Sequence, residues 1–305
     1  MPSVTVPAPL PSSSPPVSSE AAPPLALYVH WPFCQSKCPY CDFNSHVRAR
    51  IDTAAWRHAY LTALEETARR LGPRRLASIF FGGGTPSLMA SETVAAIIAH
   101  AHRLWPSAAP VEITLEANPA SVERARFAAF AAAGVNRISL GVQSLDNDVL
   151  AFLGRRHDAR DARAAIEVAQ DNFARVSLDF IYALPGQSPA AWRRALAEAL
   201  RLGAGHLSLY QLSIEPGTAF HAQQARGRLA PLADDLAGDL YALTQEMTAA
   251  AGLPAYEISN HARAGAESRH NLAYWQGGEY AGIGPGAHGR LRLAGGWHAS
   301  ADAAL

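Results

Sequence analysis

Three cysteines stand within eight residues, in the stretch HWPFCQSKCPYCDFNSH that runs from His30 to His46. Their spacing is C-x3-C-x2-C, and the chain has no other cysteine. One reading is a structural zinc site, with Cys34, Cys38 and Cys41 completed by His30 or His46. Such sites normally draw on two separated ligand pairs, and one tight loop would leave zinc little to staple. A second reading is incidental clustering of buried thiols. The third is a cubane iron–sulfur cluster, which takes one thiolate per iron. Three thiolates leave one iron open, and an open iron can chelate a small molecule through an amine and a carboxylate. An odd, clustered set does not describe a disulfide framework. Reduced thiols point to a cytoplasmic home.

Other residues suited to ligand chemistry fall at regular intervals behind this loop. They are GGGTP (Gly82–Pro86), EANP (Glu116–Pro119), GVQS (Gly141–Ser144), Asp179, and LPGQ (Leu184–Gln187). Asp179 lies within a β-like run, and each of the others ends or follows one. The runs are 25–31, 76–82, 110–116, 136–142, 174–182 and 206–213, and helices are expected near 52–71, 91–104, 121–133, 158–170 and 189–202. A sixth helix is expected from about 232 to 251. Trp56, Tyr60, Leu64, Ala68 and Leu71 recur at helical spacing, and Asp52, Ser91 and Ser121 have the chemistry of N-caps. Repeated βα units imply a parallel sheet. Six units fall short of the eight in a closed barrel, so the expected fold is an α/β open, partial (β/α)6 barrel. A doubly wound sheet is the alternative. In both, ligands sit at the carboxyl ends of the strands.

Alternation within the strands separates two faces. Val111, Ile113 and Leu115 oppose Glu112, Thr114 and Glu116. Ile138, Leu140 and Val142 oppose Arg137, Ser139, Gly141 and Gln143. Ser177 and Asp179 oppose Val176, Leu178 and Phe180. The apolar faces should meet helices. The polar faces then line an interior too polar for packing alone, and buried carboxylates there need partners. A charged or polar ligand is implied. GGGTP lacks the GK[ST] of a P-loop, but bare backbone there can approach a ligand closely.

Bulk properties exclude several classes. The 305 residues carry 26 basic and 26 acidic side chains, which argues against a basic nucleic-acid surface or a polybasic membrane patch. No run approaches the ~20 apolar residues of a membrane span. Residues 1–24 are rich in Pro, Ser and Ala and read as a disordered tail. Residues 25–215 read as the core barrel. Residues 216–305 read as an additional helix, a strand and an incomplete C-terminal region.

The cysteine loop at the end of a first strand, with Tyr40 before its last thiol, resembles the radical S-adenosylmethionine (SAM) superfamily. LYVHWPFC, CPYCDFNSH, FFGGGTPS, LEANP, GVNRISLGVQS, LGRRH, LDFIYALPGQ, HLSLYQLSIEPGT, YEISN, RHNLAYW and GIGPGAHG, in that order, resemble the oxygen-independent coproporphyrinogen III oxidase family over about Leu25 to Arg290. Within it the chain is most similar to the HemW-type haem chaperones. The resemblance implies a [4Fe-4S] cluster on Cys34, Cys38 and Cys41. It implies SAM against Tyr28, Gly83, Gly84, Thr85, Glu116, Gln143, Arg155 and Asp179, and one-electron cleavage of its sulfonium. It implies haem as cargo, His270 of the H-N-x-x-Y element as its ligand, and haem-accepting proteins as partners, and it leaves a homodimer open. The oxidases typically extend the loop to C-x3-C-x2-C-x-C, where this chain has Phe43. That difference favours haem carriage over porphyrin oxidation. His30 and His46, which flank the loop, could tune the cluster through hydrogen bonds.

Overall fold

The computed structural model describes residues 22–121 and 124–305. Ten strands form one sheet: β1 (Pro24–Trp31), β2 (Arg75–Gly83), β3 (Glu112–Ala117), β4 (Arg137–Gln143), β5 (Arg175–Tyr182), β6 (His206–Gln211), β7 (Asn260–Ala262), β8 (Glu279–Ile283), β9 (His288–Leu293) and β10 (Gly296–Ala301). The helices are α1 (Thr53–Leu71), α2 (Ser91–Leu104), α3 (Arg124–Ala132), α4 (Asn147–Phe152), α5 (Ala159–Asn172), α6 (Pro189–Arg201), α7 (Ala219–Ala225), α8 (Asp234–Ala250) and α9 (Arg269–Trp275).

Strand order is β10-β9-β8-β1-β2-β3-β4-β5-β6-β7. From β8 to β6 every neighbouring pair is parallel. The two ends do not pair, so the barrel is open, as the count of βα units predicts. Antiparallel partners finish each edge, β7 on β6 and β9 on β8. The β8 pairing with β1 brings residues near the carboxyl end of the chain beside the cysteine loop.

The two faces divide as alternation requires. Val29, Ile79, Leu115, Leu140 and Leu178 pack into the core under the helices. Thr114, Glu116, Ser139, Gly141, Gln143, Ser177 and Asp179 line an interior cavity on the other face. A doubly wound sheet would cover both faces with helices, so that alternative is not what forms. Asp52 caps α1, accepting from the Ala54 and Ala55 amides. Ser91 does not cap α2; it is the first helical residue, and Ala90 stands at the cap without a side-chain bond. The Ser121 side chain and residues 1–21 of the expected tail lie outside the described residues. The end of that tail belongs to the fold, because Ala22 is buried and Pro24 opens β1. Among the described residues no helix is long and apolar enough to cross a membrane.

Candidate functional site

The carboxyl ends of β1 to β6 surround a cavity of about 620 Å³. Its lining includes all eight residues expected to contact SAM and all three cysteines. The cysteine loop follows β1. It is held by Phe33–Cys34 pairing with His46–Val47 and by a turn in which the Cys41 amide donates to the Cys38 carbonyl, 3.1 Å. The three thiols are free and half-buried. Thr85 Oγ1 donates to Cys34 Sγ at 3.3 Å, and an Arg155 guanidinium nitrogen donates to Cys38 Sγ at 3.5 Å. Burial pushes the Cys34 and Cys41 thiols above their ordinary value. Free, they hold their protons; a coordinating metal removes them.

Among the described residues, no three His, Cys, Asp or Glu side chains could together hold one metal ion. A mononuclear zinc site requires such convergence, with Zn–S near 2.3 Å. A cubane instead takes each thiolate on a separate iron. Three thiols on one loop, with no fourth cysteine in the chain, fit a cluster that takes one thiolate per iron and leaves one iron open.

The glycine run is shaped by neighbours, not only by the turn. Gly83 has φ +109°, and a Cβ there would stand 2.5 Å from the His30 ring. A Cβ on Gly84 would stand 2.6 Å from the Phe33 carbonyl oxygen, which is backbone and cannot step aside. Gly84→Ala is thus expected to displace the cysteine loop and to lower stability by about 1–3 kcal/mol, the usual range for overpacking. Thermal denaturation together with iron content after reconstitution checks this. Unchanged values for both would refute the close-approach account.

Glu116 stands one residue before the end of β3 and accepts from the Gly83 amide at 3.2 Å. Asp179 on β5 accepts from Ser139 Oγ at 3.0 and 3.1 Å. Burial pushes Glu116 up to about 8, and the Asp179 charge adds to this. Burial pushes Asp179 up to about 6, opposed by bonds from Ser208 and Ser139. Neither carboxylate has a cation in ion-pair contact among the described residues. An ammonium or sulfonium ligand would supply the missing charge, so the interior fits a cationic ligand on its own chemistry. Arg155 also donates to the Gly141 carbonyl at 2.8 Å, and its buried Nε has no partner. Gln143 takes φ +66°, where β4 slips register against β5. That conformation is uncommon for a residue with a side chain and recurs at ligand sites. His157 ties down the kink through Val142, Nε2 to carbonyl oxygen 3.1 Å.

His30, expected beside the cluster, is buried and bonded to the Tyr28 hydroxyl (3.0 Å) and the Asn44 carbonyl (2.9 Å), so it braces the cysteine loop. Other positioning residues escaped the sequence reading. Asn44 binds the Pro285 carbonyl through Nδ2 and His46 through Oδ1, both at 2.9 Å. Cβ atoms on Gly284 or Gly286 would collide with the His30 carbonyl or with Asn44. The GIGPG segment is thus a buttress for the cysteine loop, with Pro285 241 residues from Asn44 in sequence. A legible signal existed in its three closely spaced glycines.

His270 lies differently from the expectation. It is buried, with Nδ1 bonded to Ser78 Oγ (2.9 Å) and Nε2 to the Tyr274 hydroxyl (2.8 Å), and its ring stacks on Phe80. Burial lowers it to about 3. Both ring nitrogens are committed, so this conformation presents no lone pair to a haem iron.

A partial parallel barrel whose first strand runs into a C-x3-C-x2-C loop, facing a carboxylate-lined cavity, defines a class of protein. The model of the radical SAM superfamily matches residues 28–199, and the chain belongs to that superfamily. Membership implies a [4Fe-4S] cluster and SAM. Within it, the chain is 41% identical to a protein of Escherichia coli called heme chaperone HemW, over 88% of this chain and 71% of that one. It is 47% identical to the bovine mitochondrial radical S-adenosyl methionine domain-containing protein 1, over 92% of this chain. The alignment spans 63% of the bovine protein's length. Among solved structures, coproporphyrinogen III oxidase (HemN) from E. coli shares the fold, with a TM-score of 0.70 at 24% identity, covering 89% of this chain and 67% of that one.

Proposed function

We propose that the chain is a haem chaperone on a radical SAM scaffold, binding haem and passing it to acceptor proteins. In this reading Cys34, Cys38 and Cys41 hold the [4Fe-4S] cluster. Tyr28, Gly83, Gly84, Thr85, Glu116, Gln143, Arg155 and Asp179 hold SAM. When bound, these groups supply one-electron chemistry at a sulfonium; the chain's own residues bind, orient and shield them. The observation that carries the proposal is the shape of the space beside that site. The interior cavity opens past Tyr28, Phe43, Gly83, Glu116 and Tyr274 into a second, about 780 Å³, walled largely by aromatic rings and glycine. That volume lies within the roughly 300–1,000 Å³ of small-molecule sites. Haem is a flat, mostly apolar cargo of the kind such a space suits, and relatives called heme chaperone HemW support haem as the cargo.

Haem transfer to an apo-haemoprotein, run beside an anaerobic assay for 5′-deoxyadenosine, tests it. Transfer without coproporphyrinogen turnover is expected. Nucleoside product that rises only with coproporphyrinogen would favour the oxidase instead. Cys38→Ser is expected to lose most cluster iron and sulfide, because one thiolate corner is gone and the serine alkoxide is a harder ligand. Iron and sulfide counting after anaerobic reconstitution reads this; wild-type content would exclude Cys38 as a ligand.

A further inference from the structure

The second cavity has a chemistry of its own. Strand β9 alternates exposed and buried residues, and His288 and Arg290 share its exposed face. Both line the cavity. Tyr280 on β8 pairs directly with Arg290, and Trp297 on β10 pairs with Arg292, one step further along the same face. Tyr274 meets Tyr280 edge to face, with centroids 4.4 Å apart. Phe43 closes the side toward the cysteine loop, and it and Trp297 are 57% and 55% exposed. Large aromatic side chains left this open, in one concavity, are half of a stacking site.

Four histidines line the two cavities: His30, His206, His270 and His288. The first three are buried and hydrogen-bonded, to Tyr28 and Asn44, to Tyr256, and to Ser78 and Tyr274. His288 is exposed, and its ring has no protein partner among the described residues. It is the imidazole free to meet a metal. Arg290 makes no ion pair among the described residues; its one side-chain bond goes to the neighbouring Gly289 carbonyl. Two residues along a strand put His288 and Arg290 roughly 6.5–7 Å apart at the backbone. One strand can therefore offer a ligand to an iron and a guanidinium to a carboxylate at the edge of the same planar molecule.

We infer that this cavity is the haem site, with His288 as the axial ligand, Arg290 paired with a propionate, and Trp297, Tyr280, Tyr274 and Phe43 against the porphyrin faces. The inference rests on the haem-carrier reading and goes beyond it in placing the cargo on β8, β9 and β10 and not on His270. It also sets the cargo beside the SAM cavity, since five residues belong to both linings.

Ferric haem titrated into the cluster-loaded protein, followed by Soret absorbance, provides the test. His288→Ala is expected to lose the histidine-ligated spectrum and to weaken binding by about tenfold or more. His288→Gly with added imidazole is expected to recover the spectrum, which a merely structural role would not do. Circular dichroism and iron content confirm that the variants are folded; His288→Gln serves if the smaller residues do not fold. Wild-type binding of haem with an unchanged spectrum in folded His288 variants would overturn the assignment and leave the carrier reading standing. So would loss of the spectrum in His270→Ala alone. A wild-type protein that binds no haem would overturn both.

Discussion

Replacing Glu116 by Gln is expected to raise the melting temperature of the ligand-free protein at pH 8 and, in the same molecule, to remove most of its affinity for SAM. The two effects have one cause. Burial and the Asp179 charge raise this carboxyl from its ordinary 4.5 to about 8, and a single Gly83 N–H opposes them. In the unfolded chain it gives up its proton near its ordinary value; in the fold it keeps it until about 8. Between those values the folded state binds the extra proton, so stability falls as pH rises through the window and levels off above it. Gln keeps an acceptor for Gly83 without the charge. The gain should vanish near pH 4 and reach several degrees at pH 8, at about 2–4 °C per kcal/mol.

In the proposed site, SAM reverses the balance. Its ammonium favours the ionised carboxylate, so binding near pH 7 is expected to release a proton. Calorimetry in two buffers of different ionisation enthalpy measures that release. Loss of a charged partner worth about 1.5–3 kcal/mol corresponds to roughly 10- to 150-fold weaker binding. Wild-type affinity in Glu116→Gln would remove Glu116 from the ligand site. Asp179, raised to about 6, titrates in the same direction lower down, so its Asn variant should differ from wild type over a lower pH range.

The contrast with what the sequence made legible is physical. Glu116 and Asp179 could be placed inside the barrel from period-two alternation alone, because each strand is long enough to repeat it and each opposite face is continuously apolar. The six strands and six long helices were legible for the same reason. β8 was not. EYAGI is short, carries a glycine, and owes its place to pairing with β1 from about 250 residues away in sequence. α9 has seven residues, too few to show a helical period. The fate of His270 was illegible because a histidine's role depends on what its two nitrogens meet. Ser78 and Tyr274 are supplied by β2 and by the next turn of α9. Conversely, GAHG alone gives no reason to single out His288, since its exposure and the aromatic rings around it arise only when three strands from the carboxyl-terminal region line up beside β1. Ser91 failed as a cap for a local reason: the helix starts one residue earlier than a serine cap would allow.

Glu112→Ala is expected to be the most destabilising single change in the polar interior. Glu112 is 2% exposed and holds two guanidinium groups, with Oε2 at 3.3 Å from both Arg137 and Arg175. Its other oxygen accepts from the amides of Arg269 (2.7 Å) and His270 (3.4 Å), the first turn of α9. Arg137 also donates to Ser177 and to the Ala266 and Glu267 carbonyls. One carboxylate therefore ties β3, β4 and β5 to the segment that carries His270 and Tyr274. Removing it strands a buried arginine, and breaking such pairs costs about 3–5 kcal/mol. Thermal denaturation should show a fall of roughly 10 °C. Hydrogen exchange in residues 266–275 should accelerate more than in α1 or α2, because α9 loses its anchor while those helices keep theirs. A double replacement, Glu112→Leu with Arg137→Met, is expected to recover much of the lost stability, since it removes the fully buried unpaired charge, while Arg175, 27% exposed, keeps the Gly265 and Glu267 carbonyls. It should not restore slow exchange in α9, whose amides still lack an acceptor. If exchange did recover, α9 would be seated by its aromatic contacts with Tyr28, Phe80 and Tyr280, and the wall of the second cavity would not depend on the ion network beneath it.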